Sequence, residues 1–283
     1  MSLTTGQLHL FTDPPGPLFE AGQDPPATAA MPRLHLVDLR FDLRRFWQAL
    51  RHDGQRLPDA DLGYAVHAAL FGLFGPVHAP KPFHVVPVAG ASVVRVLGQV
   101  ALDPIAVERA LADGQPAWRA ALLGDVAVHA LPGATWWLGK TLAFRVHARP
   151  TVRRHKDVEG KERDLELDAY QPVCERLPET ERPTRDQVYC DWLRSCLERE
   201  GACTVTDVRL AGWNLVPLYR KDGLKLGKDG ARRGTRGISL PQADFAGTLQ
   251  VVDAERFAAL VARGIGRHRA FGFGMLLLQR PAL

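Results

Sequence analysis

The chain has 283 residues, enough for one large core or for two domains of ordinary size. Hydrophobic residues make up 46% and charged residues 24%, a globular balance, and no apolar run approaches the roughly 20 residues that cross a bilayer. That excludes a membrane-spanning helix, and a formal net charge of +5 favours an acidic partner.

Residues 1–32 contain Pro14, Pro15, Pro17, Pro25, Pro26 and Pro32 and lack the basic start and apolar centre of a signal peptide. A disordered or extended tail is expected there. Residues 34–41 alternate apolar with polar side chains, as a half-buried strand does. A short helix is expected over 43–50 and a second over 61–74, where apolar residues fall at helical spacing behind Asp59 and Asp61. Two β-branched runs, 83–88 and 92–100, read as strands joined by Ala89-Gly90-Ala91. Asp103 before Pro104 supplies an N-cap and a first-turn proline for a helix to about residue 112. A strand near 126–131 completes a β-α-β-β-α-β unit, the ferredoxin-like or RRM-like order, over residues 33–138.

The second half, 139–283, repeats that order without an obvious sequence repeat. Strands are expected at 141–148, 204–213, 245–252 and 271–279, with helices at 186–200 and at 254–263 behind Asp253. The fold class is therefore α+β, two tandem ferredoxin-like domains. A charged, proline-rich insertion, 153–185, interrupts the second and is long for a connection. Its acidic residues Asp157, Glu159, Glu162, Asp164, Glu166 and Asp168 recur at about period two, as on a solvated edge or hairpin.

The four cysteines, Cys174, Cys190, Cys196 and Cys203, form no C-x-x-C pair, and the histidines nearby lack zinc-ligand spacing. Reduced thiols in a cytoplasmic protein, with no metal and no cofactor, are expected. Residues 214–241 form a basic hairpin carrying Lys221, Lys225, Lys228, Arg232, Arg233 and Arg236 against Asp222 and Asp229. Its glycines keep it free of regular helix, and a flexible cationic hairpin gains affinity from phosphates through counterion release. The glycine-rich loop 264–274 holds Gly264, Gly266, Arg267, Arg269, Gly272 and Gly274 between a helix and a buried strand. It suits either a helix cap and tight turn or a cradle for a polyanion.

Tyr64 and His67 lie three residues apart, which places both on one face of the expected helix. A histidine exchanges protons near neutral pH and a tyrosine hydroxyl can orient it or donate to an oxyanion. Self-cleavage of RNA by its own 2′-hydroxyl needs a base, charge stabilisation and alignment, without a metal. The same pair also suits plain core packing.

Three strings carry a family resemblance. They are Tyr64-Ala-Val-His67-Ala-Ala-Leu70-Phe-Gly-Leu-Phe74, Leu142-Ala-Phe-Arg145-Val-His-Ala-Arg149-Pro150-Thr151, and Gly264-x-Gly266 with Gly272-x-Gly274. Together they resemble the CRISPR repeat-processing endoribonucleases, most closely the type I-E branch, from about Leu34 to Leu278. The resemblance implies metal-independent cleavage of precursor CRISPR RNA at the repeat hairpin, giving 5′-hydroxyl and 2′,3′-cyclic phosphate ends. It implies retention of the mature guide RNA within an effector complex, so the partners are that RNA and other subunits of the complex. It assigns His67 as general base or acid and Tyr64 as orienter or oxyanion stabiliser. RNA contacts fall to the basic hairpin, to Gly264, Gly266, Arg267 and Arg269, and to Arg149, Arg153 and Arg154, with the glycine loop distant from the catalytic pair. The tail and the insertion exceed the compact family pattern. They leave room for the related type IV processing subunit, in which an arginine set carries cleavage, or for a catalytically inactive hairpin-binding subunit.

Overall fold

The computed structural model describes residues 33–52, 62–86, 92–156, 162–218 and 238–281. The first unit comprises β1 (His35–Asp42), α1 (Leu43–His52), α2 (Leu62–His78), β2 (Phe83–Val86), β3 (Val93–Val100), α3 (Pro104–Asp113), α4 (Pro116–Ala121) and β4 (Ala127–Ala130). Its strands form an antiparallel sheet in the order β2-β3-β1-β4. Alternation along β1 turns Val37, Leu39 and Phe41 inward, each fully buried, against Ala65, Val66, Ala69, Leu70 and Leu73 of α2 in one core. The Asp103 carboxylate accepts from the Ala106 amide and caps α3, as its sequence predicts. Helix α2 runs past the predicted end at Phe74, with a break at Gly75 (φ 71°, ψ 173°) before Pro76.

After the short α5 (Ala134–Trp137), the second unit comprises β5 (Thr141–Ala148), β6 (Thr151–Lys156), β7 (Glu162–Asp168), α6 (Gln171–Arg176), α7 (Arg185–Glu198), β8 (Cys203–Leu218), β9 (Ile238–Val251), α8 (Ala254–Arg263) and β10 (Leu277–Gln279). Its four-stranded antiparallel sheet has the order β10-β5-β9-β8. Renumbered within each unit, both sheets read fourth-first-third-second, the ferredoxin-like arrangement expected from the element order. A second core gathers Leu142, Phe144 and Val146 of β5, Leu193 and Leu197 of α7, and Phe257 and Leu260 of α8. Helix α7 begins with a capping box, in which the Thr184 side chain and the Gln187 amide pair while the Gln187 side chain returns to the Thr184 amide.

The expected insertion is largely built of regular structure. β6 and β7 pair as a two-stranded ribbon, and α6 follows before α7. The acidic alternation was thus a strand signal. The predicted strand 271–279 is corrected to three residues, because Gly272 (φ 89°) and Gly274 (φ 78°) hold the preceding backbone in the left-handed region. Among the described residues no helix is long and apolar enough to cross a membrane.

Candidate active site

Tyr64, His67 and Phe71 stand at i, i+3 and i+7 on α2, a stripe beside the one that faces the core. Burial of Ala65, Val66, Ala69 and Leu70 fixes the helix, so these three rings are presented from a rigid element. The Tyr64 and His67 ring centroids are 6.4 Å apart, and His67 and Phe71 are 6.0 Å apart. Tyr64 and His67 are half-buried and Phe71 is exposed.

The glycine loop comes directly onto this stripe, which overturns the expectation that it lies far from the pair. Phe271 stacks on Tyr64 at 6.1 Å with an interplanar angle of 8°, and lies 5.0 Å from His67. The Ala270 backbone hydrogen-bonds the His67 ring. The sequence separation of about two hundred residues concealed the contact; the packing of the loop onto Pro82 and Phe83 makes it.

Close backbone packing gives the loop its form. A Cβ on Gly274 would sit 2.0 Å from the Ile265 carbonyl oxygen, and the Ile265 amide donates to the Gly274 carbonyl at 2.7 Å. Gly264 is buried, and its amide already donates to the Leu260 carbonyl as a helix cap. The cap is therefore the role the geometry gives that amide, in place of a phosphate cradle. Gly266 packs against the Trp192 ring.

The loop is also tied to the ribbon. Glu166 of β7 is buried; it accepts from Thr151 Oγ1 at 2.9 Å, lies 2.8 Å from His268 Nε2 and pairs with Arg267 at 3.4 Å. Burial raises the Glu166 pKa, but the His268 hydrogen bond and charge, with Thr151 and Arg267, outweigh it and bring the value down to about 2. His268 itself adopts a left-handed backbone (φ 59°).

The remaining site residues divide by location. Arg149 is buried with its guanidinium 4.5 Å over the Phe273 ring, and Phe273 stacks on His147 at 4.8 Å. On β6, Arg153 is exposed and Arg154 pairs with Glu175 of α6. Arg269 donates to the Arg263 carbonyl at 2.7 Å. Lys221, Lys225, Lys228, Arg232, Arg233 and Arg236 lie outside the described residues.

Several side chains around the candidate site carry no mark in the sequence that would place them there. Lys81, exposed before β2, is close enough to disfavour the charged form of His67, and it is the single lysine among the first 139 residues. The His67 pKa is lowered by burial first and by Lys81 second, so its imidazole stays neutral below the ordinary histidine range. Beneath the loop, His147 Nδ1 and Asp244 Oδ1 meet at 2.6 Å across β5 and β9, where the two residues are register partners. His84 of the first sheet is buried within electrostatic reach of both, and burial, then His147, lower its pKa to about 4. No local spacing links His84, His147 and Asp244.

The arrangement offers a neutral imidazole, a phenol, a nearby ammonium and an aromatic wall, which suffices for proton transfer beside an anionic substrate. Among the described residues no group of three or more His, Cys, Asp or Glu side chains converges as a metal site.

The profile of a family described as CRISPR-associated protein matches residues 34–280. Among solved structures, Thermus thermophilus Cse3 bound to an RNA representing a pre-cleavage complex is 19% identical, with a TM-score of 0.53 over 87% of this chain and 98% of that one. The CRISPR endoribonuclease Cse3 bound to a 19-nucleotide RNA is 19% identical, with a TM-score of 0.56 over 87% and 99%. A chain of a CRISPR RNA-guided surveillance complex in its pre-nicking state is 16% identical, with a TM-score of 0.51 over 87% and 100%. These likenesses establish a shared fold. No curated protein matches.

Proposed function

Because the chain belongs to the CRISPR-associated protein family, we propose that it is a metal-independent endoribonuclease that cuts precursor CRISPR RNA at the repeat hairpin. It then keeps the mature guide RNA as part of an effector complex. The observation that carries this reading is the environment of His67: a half-buried imidazole held towards its neutral form, with Tyr64 beside it on the same helix face and Lys81 within electrostatic reach. The fold shared with RNA-bound Cse3 supports it.

In this reaction the 2′-oxygen attacks the adjacent phosphorus while the bond from phosphorus to the 5′-oxygen breaks. The proton of the 2′-hydroxyl is removed, and a proton is delivered to the departing 5′-oxygen. The products are a 2′,3′-cyclic phosphate and a 5′-hydroxyl. His67 serves one of the two transfers, Tyr64 orients the phosphate or His67, and Lys81 offsets the charge that builds on the phosphoryl oxygens. We assign the first unit, 33–138, to catalysis and the second, 139–283, to grip on the repeat stem through Arg153, Arg267, Arg269 and the basic hairpin.

The test is cleavage of a labelled cognate repeat RNA in EDTA. Wild type should cut and His67→Ala should not, while both bind; a 2′-deoxy nucleotide at the scissile position should block cutting and spare binding. Equal cutting by His67→Ala would remove histidine from the chemistry. If wild type cuts no cognate repeat, the inactive hairpin-binding subunit is the better reading. Changing Lys225, Lys228, Arg232 and Arg233 together should weaken binding and flatten its salt dependence.

A further inference from the structure

Four rings surround the proposed cleavage point, and they differ in how much of each is already covered. Tyr64 carries Phe271 on its face, and both are half-buried, as is His67. Phe71 is the exception: the residue is 44% exposed although its neighbours Leu70 and Gly72 are buried. What sets Phe71 apart from other exposed apolar side chains is its place: it is open to water on the stripe that carries His67, tilted 52° from that ring at 6.0 Å, so a group seated on it lies beside the proposed proton-transfer residue.

We propose that Phe71 is the stacking platform for the unpaired nucleobase beside the scissile phosphate. This rests on the endoribonuclease reading above. In-line attack requires the scissile nucleotide to leave the stack of a regular helix, since stacked geometry does not align the 2′-oxygen with the departing 5′-oxygen. A base so displaced exposes a π-face, and protein aromatic rings are the usual acceptors of such faces. Phe71 is one helical turn from the proton-transfer group, so a base seated on it holds the attached ribose and phosphate at His67. The helix is rigid there: a Cβ at Gly72 would come within 2.3 Å of Trp118, which shows how closely α2 is packed behind the ring. A phenyl face carries no hydrogen-bonding groups. The platform therefore accepts any base, leaving sequence choice to contacts elsewhere.

The experiment measures single-turnover cleavage by wild type, Phe71→Ala, Phe71→Leu and Phe71→Trp. Each variant is given the native repeat hairpin and versions with an abasic site on either side of the scissile linkage. Phe71→Ala should slow cleavage of native RNA on the order of ten-fold, Phe71→Trp should retain it, and Phe71→Leu should resemble Ala. One abasic substrate should slow wild type by a similar factor and leave Phe71→Ala no slower. The same abasic penalty in both proteins, or full rescue by leucine, overturns the proposal and points to core packing or a protein partner. If wild type cuts no repeat RNA, the nuclease reading fails separately. Stacking is then read from a 2-aminopurine placed at the same nucleotide: quenching by wild type but not by Phe71→Ala supports the platform, and equal fluorescence sinks it.

Discussion

His67 is the side chain on which the proposed chemistry turns, and two neighbours set its working range. Burial and Lys81 both favour its neutral form, while the hydrogen bond to the Ala270 backbone opposes them. Replacing Lys81 by Met removes one of the two lowering influences. Whichever limb of the pH–rate profile belongs to His67 should then move to higher pH, and the plateau rate should fall if the ammonium also steadies the phosphoryl oxygens. An unmoved profile would place Lys81 outside the electrostatics of the site. The pair Tyr64 and His67 was legible from its spacing because both lie on one helix. Lys81, Phe71 and Phe271 were not, because one is in a loop, one looks like core sequence, and one arrives from the far end of the chain. Spacing reports neighbours on an element; it is silent about neighbours across elements.

At the level of elements, the glycine loop behaves as a clasp, closed by backbone on one side and by Glu166 on the other. A methyl at Gly274 would meet the Ile265 carbonyl oxygen at 2.0 Å with φ at 78°, so Gly274→Ala should destabilise by about 3 kcal/mol, read as a lower midpoint in urea. Glu166→Gln keeps the shape but removes the charge facing His268 and Arg267, and should cost about 2 kcal/mol at neutral pH. The folded Glu166 pKa of about 2 is below its ordinary value near 4.5. Its contribution is therefore present above 4.5 and lost as pH falls from there towards 2, and the Gln variant should lack that acid loss. The loop's glycines and arginines were conspicuous in the sequence and drew a phosphate-binding reading. The sequence left that reading beside a helix cap and tight turn, and the Ile265–Gly274 and Gly264–Leu260 hydrogen bonds show the cap and turn between α8 and β10. The ribbon shows the opposite case: its alternation of charge was a fair strand signal, obscured because charged strands lack the apolar face that usually marks one.

At the scale of the whole molecule, His84 joins the two sheets electrostatically, facing His147 and Asp244 from the other unit. Its folded pKa of about 4 is below the ordinary 6.5, so the unfolded chain binds a proton that the folded one refuses between those values. Stability should therefore be full above pH 6.5 and fall by about 3 kcal/mol as pH drops towards 4. His84→Gln should show correspondingly less of this loss in denaturant titrations at pH 7 and pH 4.5; identical losses would exonerate the residue. Both ferredoxin-like units were legible from element order alone, because strand alternation and helix caps are local. How one unit lies on the other was not, since residues such as His84 and Phe271 carry no local mark of their distant partners. That junction has a consequence for the order in which the protein becomes active. During synthesis the helix bearing His67 emerges early, but Phe271 and the Ala270 backbone that seat it come about two hundred residues later. A ribosome-bound chain halted before residue 269 would hold its histidine without its wall or its hydrogen bond, so the proposed cleavage should switch on only once Ala270 and Phe271 have folded onto α2.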